Sequence, residues 1–272
     1  MDGRPSRLRA WILASRPRTL TAAAAPVLLG SGLALGRETF RPLPALVALV
    51  GALLIQVGTN LANDYYDHAR GGDTEDRIGP LRVTQAGLIP PPTVRNATYV
   101  VLSLALLSGV YLVWVGGWPI LAVGVASLVC AVAYTGGPFP LAYHGLGDLF
   151  VFVFFGLLAV GGTYWVQALD LSWDVLLAGT GMGAFNTAIL VVNNLRDLES
   201  DARAGKRTLA VRLGRRGTKA ELLLLLLVAF AAPLLGMAFL GWSPWSLVSL
   251  AATLPLPGSL STLLRYAPPA DP

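Results

Sequence analysis

Charge is what this chain has least of. Asp, Glu, Lys and Arg make up only 13% of its 272 residues, about half the share usual in soluble proteins, and the mean hydropathy is +0.62. A surface this poor in charge cannot face water on all sides, so a soluble globular domain is excluded. Cysteine occurs once, at Cys130, which excludes both a disulfide framework and a cysteine-built metal site. Inside an apolar run that thiol reads as a small hydrophobe. Histidine occurs only as His68 and His144, too few for a zinc site without thiolates. His68 is expected to face solvent and His144 to serve the structure of its loop. Linkers and low-complexity segments are absent. The basic start MDGRPSRLRAWILASRPR leads into an apolar run without a small-residue cleavage site, so no cleaved signal peptide is expected.

Long apolar runs are abundant. Spans are expected near 17–36, 43–62, 96–115, 118–135, 148–168, 174–194, 220–240 and 245–264, each long enough at 1.5 Å per residue to cross roughly 30 Å of hydrocarbon. The fold class is therefore all-α: one membrane-embedded domain over 1–272, a polytopic bundle of about eight transmembrane helices around a central cavity. Basic residues orient it. With the N-terminus inside, 18 of the 20 Lys and Arg fall on the cytoplasmic side. Trp114, Trp118, Trp165, Trp173, Trp242 and Trp245 fall at the outer ends, where an interfacial belt belongs. The net charge of +5 thus reflects orientation against anionic lipid, and no nucleic-acid partner is inferred from it. A cell (inner) membrane location is expected, with the active-site loops cytoplasmic.

Acid is scarce but gathered. Five of the 15 Asp and Glu lie in NDYYDHARGGDTED, residues 63 to 76, directly after the second apolar run. Gln56, Asn60, Asn63 and Asp67 are spaced by four, three and four, so on a helix they stack along one face toward the inner mouth. A second cluster, NNLRDLESDARAGKRT, places Asn193, Asp197 and Asp201 at spacings of four on the same side of the membrane. Solvation of ordinary loops would account for one such acid. Two helix-spaced clusters of like charge call for cations. Hard oxygens from Asp and Asn, few per ion, suit Mg²⁺ with water and phosphate completing the shell. Arg70, Arg77 and Arg82 accompany the first cluster, and Arg203, Lys206 and Arg207 the second. Carboxylates that hold Mg²⁺ beside Arg and Lys are what binding and release of a diphosphate require. Arg212, Arg215, Arg216 and Lys219 read as topogenic charge. The loop TGGPFPLAYHGLGD, 135–148, is nearly uncharged and is expected to fold against the protein. A diphosphate with a reason to live in lipid is a polyprenyl diphosphate. A transporter is the reading from a different class, but it predicts acids near the midplane, whereas these lie at the mouth.

NDYYD and NNLRDLESD resemble the paired motifs of the UbiA superfamily of intramembrane prenyltransferases. RPRTLTAAAAPVLLGSGLA, NLANDYYDHARGGDTEDRIGPLRVTQAGLI and YTGGPFPLAYHGLGDLFVFVFFG are similar to its 1,4-dihydroxy-2-naphthoate branch. The resemblance implies a nine-helix fold, of which eight spans are read here. It also implies Mg²⁺-dependent transfer of a polyprenyl group to 1,4-dihydroxy-2-naphthoate in menaquinone synthesis. Carried over residue by residue, it implies metal ligation by Asn63, Asp67, Asp73, Asn193, Asp197 and Asp201, with Asp67, Asp197 and Asp201 central to catalysis. Asp73 stands in for the superfamily's third acid, whose place at 71 is Gly. Arg77, Arg82, Lys206 and Arg207 would bind diphosphate, and Arg82 and Gln85 the acceptor. Branches acting on homogentisate, 4-hydroxybenzoate, haem or chlorophyll precursors would share the metal motifs and differ in the acceptor pocket.

Overall fold

The computed structural model describes residues 5–71, 81–253 and 258 of the chain. Helices α1 (Arg7–Ser15), α2 (Pro17–Gly36), α3 (Pro42–Ala69), α4 (Pro91–Gly116) and α5 (Trp118–Ala133) precede the 135–148 loop. Then follow α6 (Gly147–Phe152), a π-helical stretch (Val153–Leu158), α7 (Ala159–Ala168), α8 (Trp173–Arg196), α9 (Leu198–Arg203) and α10 (Leu209–Leu240). Several of these helices open on proline, which lacks the amide hydrogen that a first turn leaves unpaired anyway.

Among the described residues, six helices are long and apolar enough to cross a membrane, the π-helical stretch lying within one of them, Gly147–Ala168. The protein is a multi-pass membrane protein with an all-α bundle, but the expected count of eight spans is corrected. The run at 118–135 forms a helix of 16 residues, shorter than those six although it runs from the Gly116 end of α4 to the loop packed on Tyr66, and it is stopped by Gly136, Gly137 and Pro138. The run at 245–264 begins as a 3₁₀ helix, Pro244–Thr253. Residues 254–257 and 259–264 of that run lie outside the described residues. Hydropathy measures composition and is blind to such breaks. The 220–240 span, conversely, belongs to a longer helix that bends at Gly214, where φ is +65°.

In lipid, association comes from close packing of small residues more than from burial of oil away from water. The π-helical stretch shows this. A Cβ on Gly156 would lie 2.5 Å from the Gly179 carbonyl oxygen and 2.5 Å from the Gly183 Cα, so backbone here meets backbone. Leu107, Val110, Leu224 and Leu227 are more than half exposed, as lipid-facing side chains are. Trp114, Trp118, Trp173 and Trp245 stand exposed where helices end, while Trp242 donates its indole N–H to Asp174 at 3.1 Å. Between α2 and α7 the bundle leaves an apolar chamber of about 360 Å³, lined by residues such as Ile55, Leu128, Phe150 and Phe154. Gln56, Thr59 and Tyr134 add polar groups to its wall.

Candidate active site

Helix α3 does not stop at the apolar run. It continues to Ala69 and carries the polar face outward, with Gln56, Asn60, Asp64 and Asp67 buried and Asn63 half-buried. Asp67, 1% exposed, meets both loops. Its Oδ2 accepts from Arg82 Nη2 at 2.6 Å, and its Oδ1 accepts from Tyr143 Oη at 2.9 Å with Lys206 Nζ at 3.4 Å. Lys206 comes from the second acidic segment, so the two acidic clusters lie at one end of the bundle. Buried charge of this kind is stable only with such partners.

Arg82 reaches Asp67 because Asp64 holds its neighbours. Asp64 accepts from the Val83 amide at 3.0 Å, from the Thr84 amide at 3.0 Å, and from the Thr84 hydroxyl. Val83 is thereby packed against Ala10, Ala14, Leu61, Ile89 and Val94. Asp64, one of the five acids of the first cluster, thus ties the 81–89 segment to α3. Removing its carboxylate strands two buried amides. Asp64→Ala is therefore expected to cost about 2–4 kcal/mol, read as a lowered unfolding midpoint in detergent at fixed scan rate. An unchanged midpoint would show that the 81–89 segment is held by apolar packing alone.

The second cluster bends at Asp197. Helix α8 ends at Arg196, and Asp197 has φ −94° and ψ 9° before α9 begins. The spacing of four nevertheless survives as hydrogen bonds, Asp197 N to Asn193 O at 3.0 Å and Asp201 N to Asp197 O at 2.8 Å. Arg196 grips the Asp197 carboxylate with two bonds, at 2.8 and 2.7 Å. Asn193 and Asp201 are half-buried, and the Lys206 amide donates to Asp201 O at 2.9 Å. Glu199 faces elsewhere and pairs with Arg215 at 2.6 Å.

Tyr143 went unnoticed in the sequence, yet it joins the parts. Its hydroxyl holds Asp67, its carbonyl accepts from the Arg207 amide at 3.0 Å, and its ring lies 5.0 Å from Lys206 Nζ and 5.5 Å from the Arg70 guanidinium. The 135–148 loop that carries it is folded down, as its composition predicted. Arg70 donates to Thr135 O at 2.7 Å and to Gly137 O, Thr135 donates to Asn63 Oδ1 at 2.8 Å, and a Cβ on Gly136 would lie 2.7 Å from the Tyr66 ring. His144 stacks on Phe139 and bonds Pro140 O at 2.8 Å, and His68 is exposed. On the outer side of this loop, Arg70, Arg207 and Arg212 border a basin of about 630 Å³ with Tyr143 and His144. Gln85 sits exposed on the turn after Arg82. Asp73 and Arg77 lie outside the described residues.

The donor set can be tested against a metal. Among the described residues, no three His, Cys, Asp or Glu side chains are placed to hold an ion by themselves. Side-chain oxygens of Asn63, Asp67, Asn193, Asp197 and Asp201 are hard ligands contributed in small numbers. That fits Mg²⁺, which takes one or two carboxylates and completes its shell with water and substrate phosphate.

The UbiA prenyltransferase family matches residues 23–271 of the chain. The chain belongs to that family. It is 44% identical over 215 residues to the 1,4-dihydroxy-2-naphthoate octaprenyltransferase of Escherichia coli (strain K12), covering 77% of this chain and 70% of that one. With the Mycobacterium tuberculosis protein of the same description it shares 43% identity over 242 residues, 89% and 82% of the two chains. In fold it is similar to a UbiA homolog from Archaeoglobus fulgidus solved bound to GPP and Mg2+, with TM-score 0.72 and 14% identity, over 95% of this chain and 91% of that one.

Proposed function

We infer that this UbiA-family protein transfers a polyprenyl group from polyprenyl diphosphate to 1,4-dihydroxy-2-naphthoate, giving demethylmenaquinol. The C–O bond to diphosphate breaks with its electron pair, a ring carbon bonds to the prenyl C1, and the ring carboxylate leaves as CO₂. The observation that carries this reading is Asp67, buried on α3 about two turns beyond the chamber-lining Thr59 and held between a cation from each of two loops. The naphthoate-specific relatives supply the acceptor class.

In this reading Asn63, Asp67, Asn193, Asp197 and Asp201, with Asp73, hold Mg²⁺, which would neutralise the diphosphate as it departs. Arg82 and Lys206 are the cations already in place. Asp67 keeps them buried and positioned, and a diphosphate presents the same kind of oxygen to them. Arg207, at the rim, and Arg77 complete the phosphate contacts. Stabilising charge as it develops on the leaving group is where such contacts act most. Arg82 from inside the mouth and Gln85 from its exposed rim are the acceptor contacts. The apolar chamber takes the isoprenoid and excludes water from an allylic cation that water would otherwise capture. Tyr143 and its loop close the mouth above Asp67. The whole chain forms this one membrane-embedded domain, in the cell membrane, with the mouth cytoplasmic on the distribution of Lys and Arg.

Purified protein supplied with Mg²⁺ and labelled polyprenyl diphosphates is expected to prenylate 1,4-dihydroxy-2-naphthoate, to prefer it to 4-hydroxybenzoate, and to lose activity with a chelator. Turnover of 4-hydroxybenzoate at an equal or higher rate would move the protein to another acceptor class.

A further inference from the structure

One polar side chain in the wall of the apolar chamber has incomplete bonding. Gln56 is 8% exposed and lines the chamber, and its Oε1 is buried without a hydrogen-bond partner. Its orientation is fixed by its neighbours. Asn60 Nδ2 donates to the Ser15 carbonyl at 2.9 Å, and a carbonyl only accepts, so Asn60 Oδ1 must face the other way, toward Gln56. The Thr19 hydroxyl spends its only proton on Arg16 O at 3.0 Å and accepts from Asn60 Nδ2 at 2.9 Å. The Gln56 atom 3.2 Å from both Asn60 Oδ1 and Thr19 Oγ1 must therefore be Nε2. Turning the amide over would set three oxygens together with no proton between them. The leftover atom is an acceptor, and a buried acceptor without a donor is costly.

The chamber wall offers little to satisfy it. Thr59, Ser108 and Ser127, which also line the chamber, donate their hydroxyls to carbonyls of their own helices, and the hydroxyls of Tyr134 and Thr163 in the same wall lie beyond hydrogen-bond reach of Gln56 Oε1. The donor must then arrive with a ligand. An isoprenoid chain has no O–H, and a diphosphate presents acceptors only. Of the molecules in the proposed reaction, the dihydroxylated ring alone carries donors that match. Gln56 also lies seven residues, two helical turns, below Asn63 on α3. At 1.5 Å per residue that is about 10 Å, so a ring bonded at Gln56 reaches the level of Asn63, and in this pose Gln56 takes the place of the rim residue Gln85 as the hydroxyl contact.

We propose that Gln56 Oε1 accepts a hydrogen bond from a phenolic hydroxyl of the aromatic acceptor, and so sets which ring is taken and how it is turned. This rests on the prenyltransfer reading above. The bond leaves the proton on the ring oxygen and increases electron density in the ring that attacks the prenyl C1. Gln56 is then a specificity-determining residue, with no part in holding diphosphate.

The test compares wild type with Gln56→Met, similar in length and without the amide. Three constants are read on each preparation: KM for 1,4-dihydroxy-2-naphthoate, KM for the polyprenyl diphosphate, and inhibition constants of 1-hydroxy-2-naphthoate and 4-hydroxy-2-naphthoate. These constants do not depend on how much of the preparation is folded. The KM for the dihydroxy acceptor is expected to rise about ten-fold. The inhibition constant of the analogue lacking the bonded hydroxyl, and the KM for diphosphate, should stay within two-fold. Constants that all rise together, or none that moves, would overturn the assignment and leave the oxygen to a bound water. Wild type that prenylates no naphthoate at all would overturn the functional reading, and this assignment with it. Naphthoate turnover with unshifted constants would overturn the assignment of Gln56 alone.

Discussion

Asp197→Asn is expected to lower kcat by about 10²–10³-fold with a smaller change in KM, while the protein keeps its unfolding midpoint. The amide keeps the shape of the carboxylate and removes the charge that a departing diphosphate needs neutralised. Folding should be spared because the partner of Asp197 is the adjacent Arg196, whose side chain is 34% exposed and can turn to water. The Asp197 side chain is itself only 11% exposed, but the isosteric amide keeps an oxygen that can accept from Arg196, so no buried donor is stranded. Glu199→Gln is the matched control. It removes an acid two residues away that is engaged with Arg215 instead, and turnover should stay within about two-fold of wild type, as for most changes of surface side chains. Steady-state kinetics on the two purified variants decides the matter. Near-wild-type turnover in Asp197→Asn would remove this acid from the site.

Asp67→Asn should behave differently, losing activity and stability together. Arg82 is 4% exposed and the Lys206 side chain 11%, and both buried cations take this carboxylate as an ion-pair partner. Breaking a buried pair by removing one partner typically costs about 3–5 kcal/mol, because the remaining charge has nowhere to go. A fall of several degrees in the unfolding midpoint is expected alongside a loss of kcat at least as large as that of Asp197→Asn. A second change separates the two effects. Asp67→Asn combined with Arg82→Gln relieves the stranded charge, so the midpoint should recover in part while activity stays lost. A single variant that unfolds like wild type would show that water already reaches these cations.

Much of the site was legible because α3 is a regular helix. Spacings of four, three and four placed Gln56, Asn60, Asn63 and Asp67 on one face, and three of those four are buried on it. The second cluster was legible for the same reason, although φ and ψ at Asp197 depart from the helix. Tyr143 was not. Its hydroxyl meets Asp67 across 76 residues, and nothing local in YHG announces that contact. Asp64 illustrates a different limit. It lies three residues before Asp67 in the same motif, and only the tertiary position of Val83 and Thr84 distinguishes a carboxylate that ties down a loop from one that faces two cations. The fold was read as far as composition allows. Runs that stay helical were found, whereas the Trp118–Ala133 helix is cut short before Gly136, Gly137 and Pro138, and Pro244–Thr253 winds as a 3₁₀ helix despite span-like hydropathy.

The wide turn at Val153–Leu158 governs the phase of its span. A π turn accommodates one residue more than an α turn, so the two halves of Gly147–Ala168 are offset by about 100° from where one continuous α-helix would put them. Before the turn Phe150 looks into the chamber. After it Tyr164 packs with Ala34 and Val175, and Gln167 reaches Ser31 and the Arg41 amide. Deleting a single residue there would give a more regular helix and a worse protein. Whichever half kept its register, the other would rotate away, leaving either the chamber without its aromatic wall or α2 without its polar partner at the far end.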